Sequence, residues 1–432
     1  MQLKKYDIEN NITFHYLKDD KYKSNVISMF LTVPLLRESV TLNVLIPSIL
    51  KRGTQKYQDL QAIEISLENL YGASFGTSVD KFGNNQVLKF YIETVKDSIV
   101  NDNIFEKSLD SFLGLIFEPY LENGTFKQEY VQQEKELLKI AIENKINDKM
   151  NYAFNRCIEE VCEEENYGLY SLGYINDLID VNNAILYNQY MYILKNAKID
   201  ILISSDMDEK YVLKCVKDRL NYEILKFRNI IYQPKATYIS STNNEKNIVE
   251  ELDVIQGKLV LGLTIKEIEK FDTYDILLLN TILGIESNSK LYRFVVEKEH
   301  LAYEAISAFI RNTNVLLVET GIDIVSYDKA ITVIKKQLND LEKGNITKEE
   351  FNGSKNVLMT LYKTTNDSAF RTISYYANQS IMNTNITIEE AINKINNIKL
   401  KNVINVAKAI KLNTIYFLKN RGAKWKYLKI KL

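Results

Sequence analysis

Thr41 to Tyr57 reads TLNVLIPSILKRGTQKY, and the rest of the chain frames this stretch. Leu42, Leu45, Ile46, Ile49 and Leu50 recur at three- and four-residue steps, the spacing of a buried helix face. Lys51 and Arg52 suit the negative end of that helix, and Gly53 supplies its C-terminal stop. Pro47 lies inside it, where it deletes a hydrogen bond at a typical cost of about 3 kcal/mol. A helix with no metal to hold can accept such a kink. The chain has 2 histidines, His15 and His300, so no His-x-x-x-His pair sets two ligands on one helix face. We therefore expect no metal site and no cofactor.

A length of 432 residues exceeds one ordinary core and predicts two or three domains. Lys+Arg 55 against Asp+Glu 56 leaves no basic excess, which argues against nucleic acid as the main partner. No apolar run approaches the roughly 18 residues of a membrane span. The opening MQLKKYDIENNITF has no apolar core of a secretory signal. Cys157, Cys162 and Cys215 fit free thiols in a reducing cytoplasm, and Cys157 and Cys162 read as packed helix residues.

Outward from the opening helix, Ile12 to Leu17 and Val26 to Val33 read as strands. Tyr57 to Leu70 reads as helical, followed by extended Gly72 to Val79, a Gly83-Asn84-Asn85 turn and the strand Val87 to Val95. Helices are expected over Ser98 to Phe117, Phe126 to Lys149, Asn151 to Glu164 and Glu209 to Asn221, with a buried strand at Ile199 to Ser205. Lys226 to Val249 collects Pro, Ser, Thr and Asn and reads as a linker. The order then begins again: a strand at Lys258 to Ile265, helices at Tyr274 to Leu283 and Ser289 to Glu299, and strands at Ala305 to Ile310 and Val315 to Val325. Helices follow over Asp328 to Lys343 and from Thr347 and Thr387, the last two opening with capping boxes. Tyr71 precedes the first hairpin and Tyr303 the second. The expectation is an α+β chain of two homologous domains, 1–225 and 250–432, joined by linker 226–249.

Arg52-Gly53-Thr54-Gln55-Lys56-Tyr57 resembles the tail that follows the His-x-x-Glu-His helix in the insulinase/pitrilysin family of zinc peptidases. LENLYGASFG (Leu67 to Gly76) and Glu297-Lys298-Glu299-His300-Leu301-Ala302-Tyr303 also sit where family features sit. The resemblance implies paired α/β sandwiches, the mitochondrial-processing-peptidase-like fold, in one half-unit. It puts the family's zinc histidines at Val44 and Ser48, its catalytic glutamate at Pro47 and its third ligand near Ala141. Its substrate-binding arginine falls at Val296, whereas Tyr303 keeps the family's tyrosine. The substrate-binding edge strand falls at Phe75, Gly76 and Thr77, with Tyr303 expected to face the same chamber. The chain most resembles the catalytically silent insulinase-like proteins of Gram-positive bacteria. Those are associated with 5-aminopentanol modification of elongation factor P and occur beside an active homologue.

Gly72-Ala73-Ser74-Phe75-Gly76 satisfies Gly-x-Ser-x-Gly, but a nucleophile elbow needs a helix after the serine and this serine enters an extended run. Glu163-Glu164-Glu165 reads as solvated helix surface, and the 28 tyrosines as packing on amphipathic faces. Two function classes follow. One is a cytoplasmic, non-catalytic subunit that pairs with an active zinc homologue in a heterodimer and binds a peptide or protein substrate. The other is a stand-alone peptide-binding or scaffold protein.

Overall fold

The computed structural model describes residues 3–8, 11–220, 222–228, 232–240 and 245–422. The chain starts with β1 (Leu3–Ile8), β2 (Ile12–Lys18), β3 (Ser24–Pro34), α1 (Val40–Leu50) and α2 (Leu60–Glu68). A hairpin of β4 (Ser74–Phe82) and β5 (Asn85–Val95) leads to α3 (Asp97–Val100) and α4 (Ile104–Phe117). The two-residue strands β6 (Leu121–Glu122) and β7 (Thr125–Phe126) precede α5 (Gln128–Glu143) and α6 (Lys149–Val161). Next come α7 (Asn183–Asn196), β8 (Lys198–Ser205), α8 (Glu209–Arg219) and the short α9 (Glu223–Lys226). The second half opens with β9 (Lys246–Leu252), β10 (Gly257–Ile265) and α10 (Thr273–Gly284). A π-helical turn (Tyr292–Lys298), β11 (Ala305–Phe309) and β12 (Val315–Ile322) follow. The chain then runs through α11 (Tyr327–Glu342), α12 (Lys348–Thr365), α13 (Ala369–Ile381), α14 (Ile388–Asn397), α15 (Leu400–Ala409) and β13 (Ile410–Asn420).

The two large sheets have the orders β1-β2-β8-β3-β5-β4 and β11-β12-β10-β13-β9. In the first, β3 is antiparallel to β5 and β8, and β8 is parallel to β2. In the second, β10 is antiparallel to β12 and β13, and β13 is parallel to β9. The second sheet therefore repeats the first with β1 left out. β4 and β11 occupy the same edge, and Tyr71 and Tyr303 precede them at matching places. The fold is α+β with one topology used twice.

Contacts divide the chain into two compact units that interleave along the sequence. One is Met1–Glu143, Leu169–Ala236 and Thr365–Thr387; the other is Asn144–Gly168, Thr237–Thr364 and Ile388–Leu432. Each sheet thus receives a helix from the other half of the chain. In the first unit, Phe14, Ile27, Met29 and Phe90 face the cluster that contains α1, α4 and α7. The opposite face, with Leu17, Val26, Phe30 and Leu202, is covered by Ala369, Ile373 and Ala377 of α13. In the second unit, Ala153, Cys157 and Val161 of α6 cover Val260, Leu317 and Tyr416. The boundaries at 225 and 250 follow chain order, whereas the units follow apolar faces, and an exchanged helix leaves no mark in chain order. β9 also begins at Lys246, inside the stretch read as linker, because it gains a parallel partner in β13.

Other elements depart from the sequence pattern locally. The helix expected over Phe126 to Lys149 ends at Glu143, and Asp148 caps a new helix by accepting from the Asn151 N–H at 3.0 Å. The segment Ser289 to Glu299 is wound as a π-helix over 292–298. Asn221, the expected end of the helix from Glu209, lies outside the described residues, as do 229–231 and 241–244 of the linker. Among the described residues, no helix is long and apolar enough to cross a membrane.

Candidate functional site

Helix α1 is held at its entry and along its length by polar contacts. The Arg37 guanidinium grips the Asp177 carboxylate at 2.7 and 2.9 Å, and Thr41 donates to the same carboxylate at 2.5 Å. The bond from Arg37 holds the Asp177 carboxyl below its ordinary pKa. Asn43, fully buried, donates to Gln86 on β5 at 2.8 Å and accepts from Gln189 on α7 at 2.7 Å. Pro47 is buried, and the helix runs unbroken across it.

On this rigid helix, Val44 and Ser48 are half-buried and one turn apart. The neighbouring α5 carries Glu134, which is buried and ion-paired with Arg52, and Ala141 two turns on, which is exposed. Val44, Pro47, Ser48 and Ala141 together offer one hydroxyl and no imidazole, thiolate or carboxylate. This donor set does not fit zinc. Nor does a histidine arrive from elsewhere. His15 projects from β2 toward α13, on the opposite face of the sheet from α1. His300 is exposed in the second unit, with a left-handed φ of 50°. Among the described residues, no group of three His, Cys, Asp or Glu could hold a metal ion.

Beside α1, the residues of the expected substrate strand form β4, which among the described residues pairs with β5 alone and is the sheet edge. Gly83, with φ 59°, opens the two-residue turn, the position where a type II′ turn takes glycine. Such a turn makes Phe82 and Asn85 a hydrogen-bonded pair, and alternation then aims the main-chain groups of Phe75, Thr77, Val79 and Lys81 away from β5. Phe75 tucks one ring edge against Phe112, with centroids 6.2 Å apart. Ser74 is exposed on the strand, without the turn-to-helix geometry of a nucleophile elbow. At Gly76, a Cβ would lie 2.1 Å from Tyr91 Cζ, so the Tyr91 ring occupies the space a side chain would take.

In the second unit, Val296 is half-buried on the π-helical turn and Tyr303 is 94% exposed before β11. On β12, burial and then the charges of Glu304 and Asp148 push the Glu319 carboxyl up to about 7.

Sequence reasoning passed over a buried polar cluster between the first sheet and α13. Ser380 donates to Asp200 at 2.6 Å, and His15 Nε2 lies 3.1 Å from Asp200 and 2.9 Å from Ser380 Oγ. The Lys198 ammonium sits 3.2 Å from Asp200 and also reaches the Ser380 carbonyl. Burial raises the Asp200 carboxyl, but His15, Lys198 and Ser380 outweigh it and leave its pKa below the ordinary value. Lys198 and Asp200 alternate with Ile199 and Ile201 at the start of this strand, which was the available signal for two charges sharing one face. A cavity of about 640 Å³ opens among α2, α4 and α8, lined in part by Thr54, Lys56 and Tyr57 of the tail motif and by Ile65, Glu118 and Arg219; Val44, Pro47, Ser48 and Ala141 do not line it.

Residues 180–358 match the protein family described as peptidase M16 inactive domain. The probable inactive metalloprotease YmfF of Bacillus subtilis (strain 168) is 28% identical over 411 residues, covering 94% of this chain and 96% of its own length. The uncharacterized zinc protease YmxG of the same bacterium is 22% identical over 349 residues, 78% of either chain. A conserved protein from Enterococcus faecalis V583 has a solved structure that matches with TM-score 0.88 and 26% identity, over 98% of this chain and 100% of that one.

Proposed function

We propose that this chain, whose residues 180–358 match the peptidase M16 inactive domain, is a non-catalytic insulinase-like subunit that pairs with an active zinc homologue and binds an extended peptide along β4. The observation that carries this reading is the contrast between two neighbours. On α1 and α5 the ligand positions are Val44, Pro47, Ser48 and Ala141, none of which can activate water. Next to them, β4 keeps an open edge with outward main-chain groups at Phe75, Thr77 and Val79, the requirement for adding a peptide strand. A chain that had merely drifted would have little reason to lose one and keep the other. The relatives in Bacillus subtilis lend further support, since one bacterium carries both a probable inactive metalloprotease and a zinc protease of this kind. In the second unit, the exposed Tyr303 is open to contact with a partner.

The heterodimer should bury well over ~1,000 Å², as stable partners do. The test is co-expression with the zinc-motif homologue of the same organism, followed by peptide hydrolysis with and without this chain. Co-elution together with a dependence of turnover on this chain supports the reading. Equal turnover without co-elution rejects the pairing and leaves a stand-alone peptide-binding protein. Elongation factor P modification, implied by the resemblance, supplies the first substrate to assay in a cytoplasmic setting.

A further inference from the structure

We propose that Tyr91 and Phe370 form an aromatic shelf that selects one aromatic or large apolar side chain of the bound peptide; this rests on the reading of β4 as the peptide-binding edge. The shelf follows from the register. Gly76 pairs with Tyr91 across the hairpin. The outward main-chain groups lie at Phe75 and Thr77 on either side of it, so a peptide docked antiparallel places one residue opposite Gly76 without direct hydrogen bonds. In such a pair the Cα atoms approach to about 4.5 Å and the side chains come closer than elsewhere on the ladder.

Gly76 has no side chain to meet that residue, and the phenol end of Tyr91 lies in the vacated space. Tyr91 Cζ and Oη are 2.1 and 2.2 Å from where a Cβ would stand. The first surface the incoming side chain meets is therefore this ring. Phe370 on α13 extends it, with ring centroids 4.6 Å apart and planes at 55°. Phe370 is 37% exposed, so its ring is open to a ligand. The flanking charges on the same face are already engaged: Lys89 pairs with Asp80 at 2.7 Å, and Glu93 accepts from Ser24 at 2.6 Å. The shelf thus offers two ring surfaces set at an angle, with Lys89 and Glu93 beside it already engaged, which favours an aromatic or large apolar group over an ion. The positions two residues to either side meet Ser74 and Ser78, which line up with Glu93 and Lys89. They present small polar surface, so the selection is for one bulky residue with smaller or polar residues two places before and after it.

The experiment uses the full chain and a series of fluorescent octapeptides that differ at one position, carrying Phe, Leu, Ser or Glu, read by anisotropy. The Phe peptide should bind about tenfold more tightly than the Ser peptide, the scale of an aromatic pair plus its buried area. In Tyr91→Ser and in Phe370→Ser that preference should shrink to within about twofold, with affinity for the Ser peptide unchanged. Phe370 sits at the surface of α13, so its variant keeps the test valid if Tyr91→Ser fails to fold; thermal transitions check both. Equal binding of all four peptides by the natural chain overturns the shelf and leaves the edge-strand reading standing. Absence of binding to every peptide overturns the edge-strand reading, and the shelf with it.

Discussion

Replacing Asp200 with leucine tests whether the buried polar cluster fastens α13 to the first sheet. Asp200 is fully buried and meets Ser380 at 2.6 Å, His15 at 3.1 Å and Lys198 at 3.2 Å. Leucine fills a similar volume but leaves the Lys198 ammonium, only 11% exposed, facing apolar surface and the Ser380 carbonyl. Removing one partner of a buried ion pair typically costs about 3–5 kcal/mol, because the other charge is left uncompensated. For a unit of this size each kcal/mol lowers Tm by roughly 2–4 °C, so Asp200→Leu should lower it by roughly 6–20 °C. Limited proteolysis should then cut within 365–387 before the rest of the unit. The double variant Asp200→Leu with Lys198→Met should recover most of the loss, since no lone charge remains. Because the Asp200 carboxyl titrates below its unfolded value of about 3.9, its stabilisation is present above that pH and is lost as pH falls through the folded value. A loss under about 1 kcal/mol for the single variant, or no recovery in the double, would refute the clamp.

Thr77→Pro removes an outward donor of β4 and no hydrogen bond to β5, so thermal stability should change little while peptide affinity falls about tenfold; calorimetry and anisotropy read the two effects. Gly76→Ala drives a Cβ into the Tyr91 ring, which should cost about 1–2 kcal/mol in chemical denaturation and much less in a Tyr91→Ser background. Glu319→Gln should raise Tm at pH 8 and leave it unchanged at pH 4. The folded carboxyl holds its proton up to about 7, so the native glutamate contributes stability below its unfolded pKa and loses it as pH rises through 7. Elemental analysis of the purified chain should find no stoichiometric zinc, given Val44, Ser48 and Ala141 at the ligand positions.

Much of this protein is written locally. The helix within Thr41 to Tyr57, α1, declared itself through apolar spacing, and the β4–β5 hairpin through Gly83-Asn84. The capping box ahead of α12 forms as read: Thr347 N–H donates to Glu350 at 2.9 Å and Glu350 N–H to the Thr347 hydroxyl at 3.1 Å. The missing zinc chemistry is equally a sequence matter, because a ligand needs a side chain of the right kind whatever surrounds it. The repeated element order was legible too, since each half must make its own hairpins and helices from nearby residues. What the sequence left open involves residues far apart in the chain. β8 comes to lie between β2 and β3, and α6 and α13 each cover the sheet of the other half, by apolar faces that match only after folding. Asp200, His15 and Ser380 meet across as many as 365 positions, and Phe370 reaches Tyr91 by the same exchange. Periodicity can show that a face is apolar, but which face buries it is decided by the sum of all the others, and that sum exists only in three dimensions.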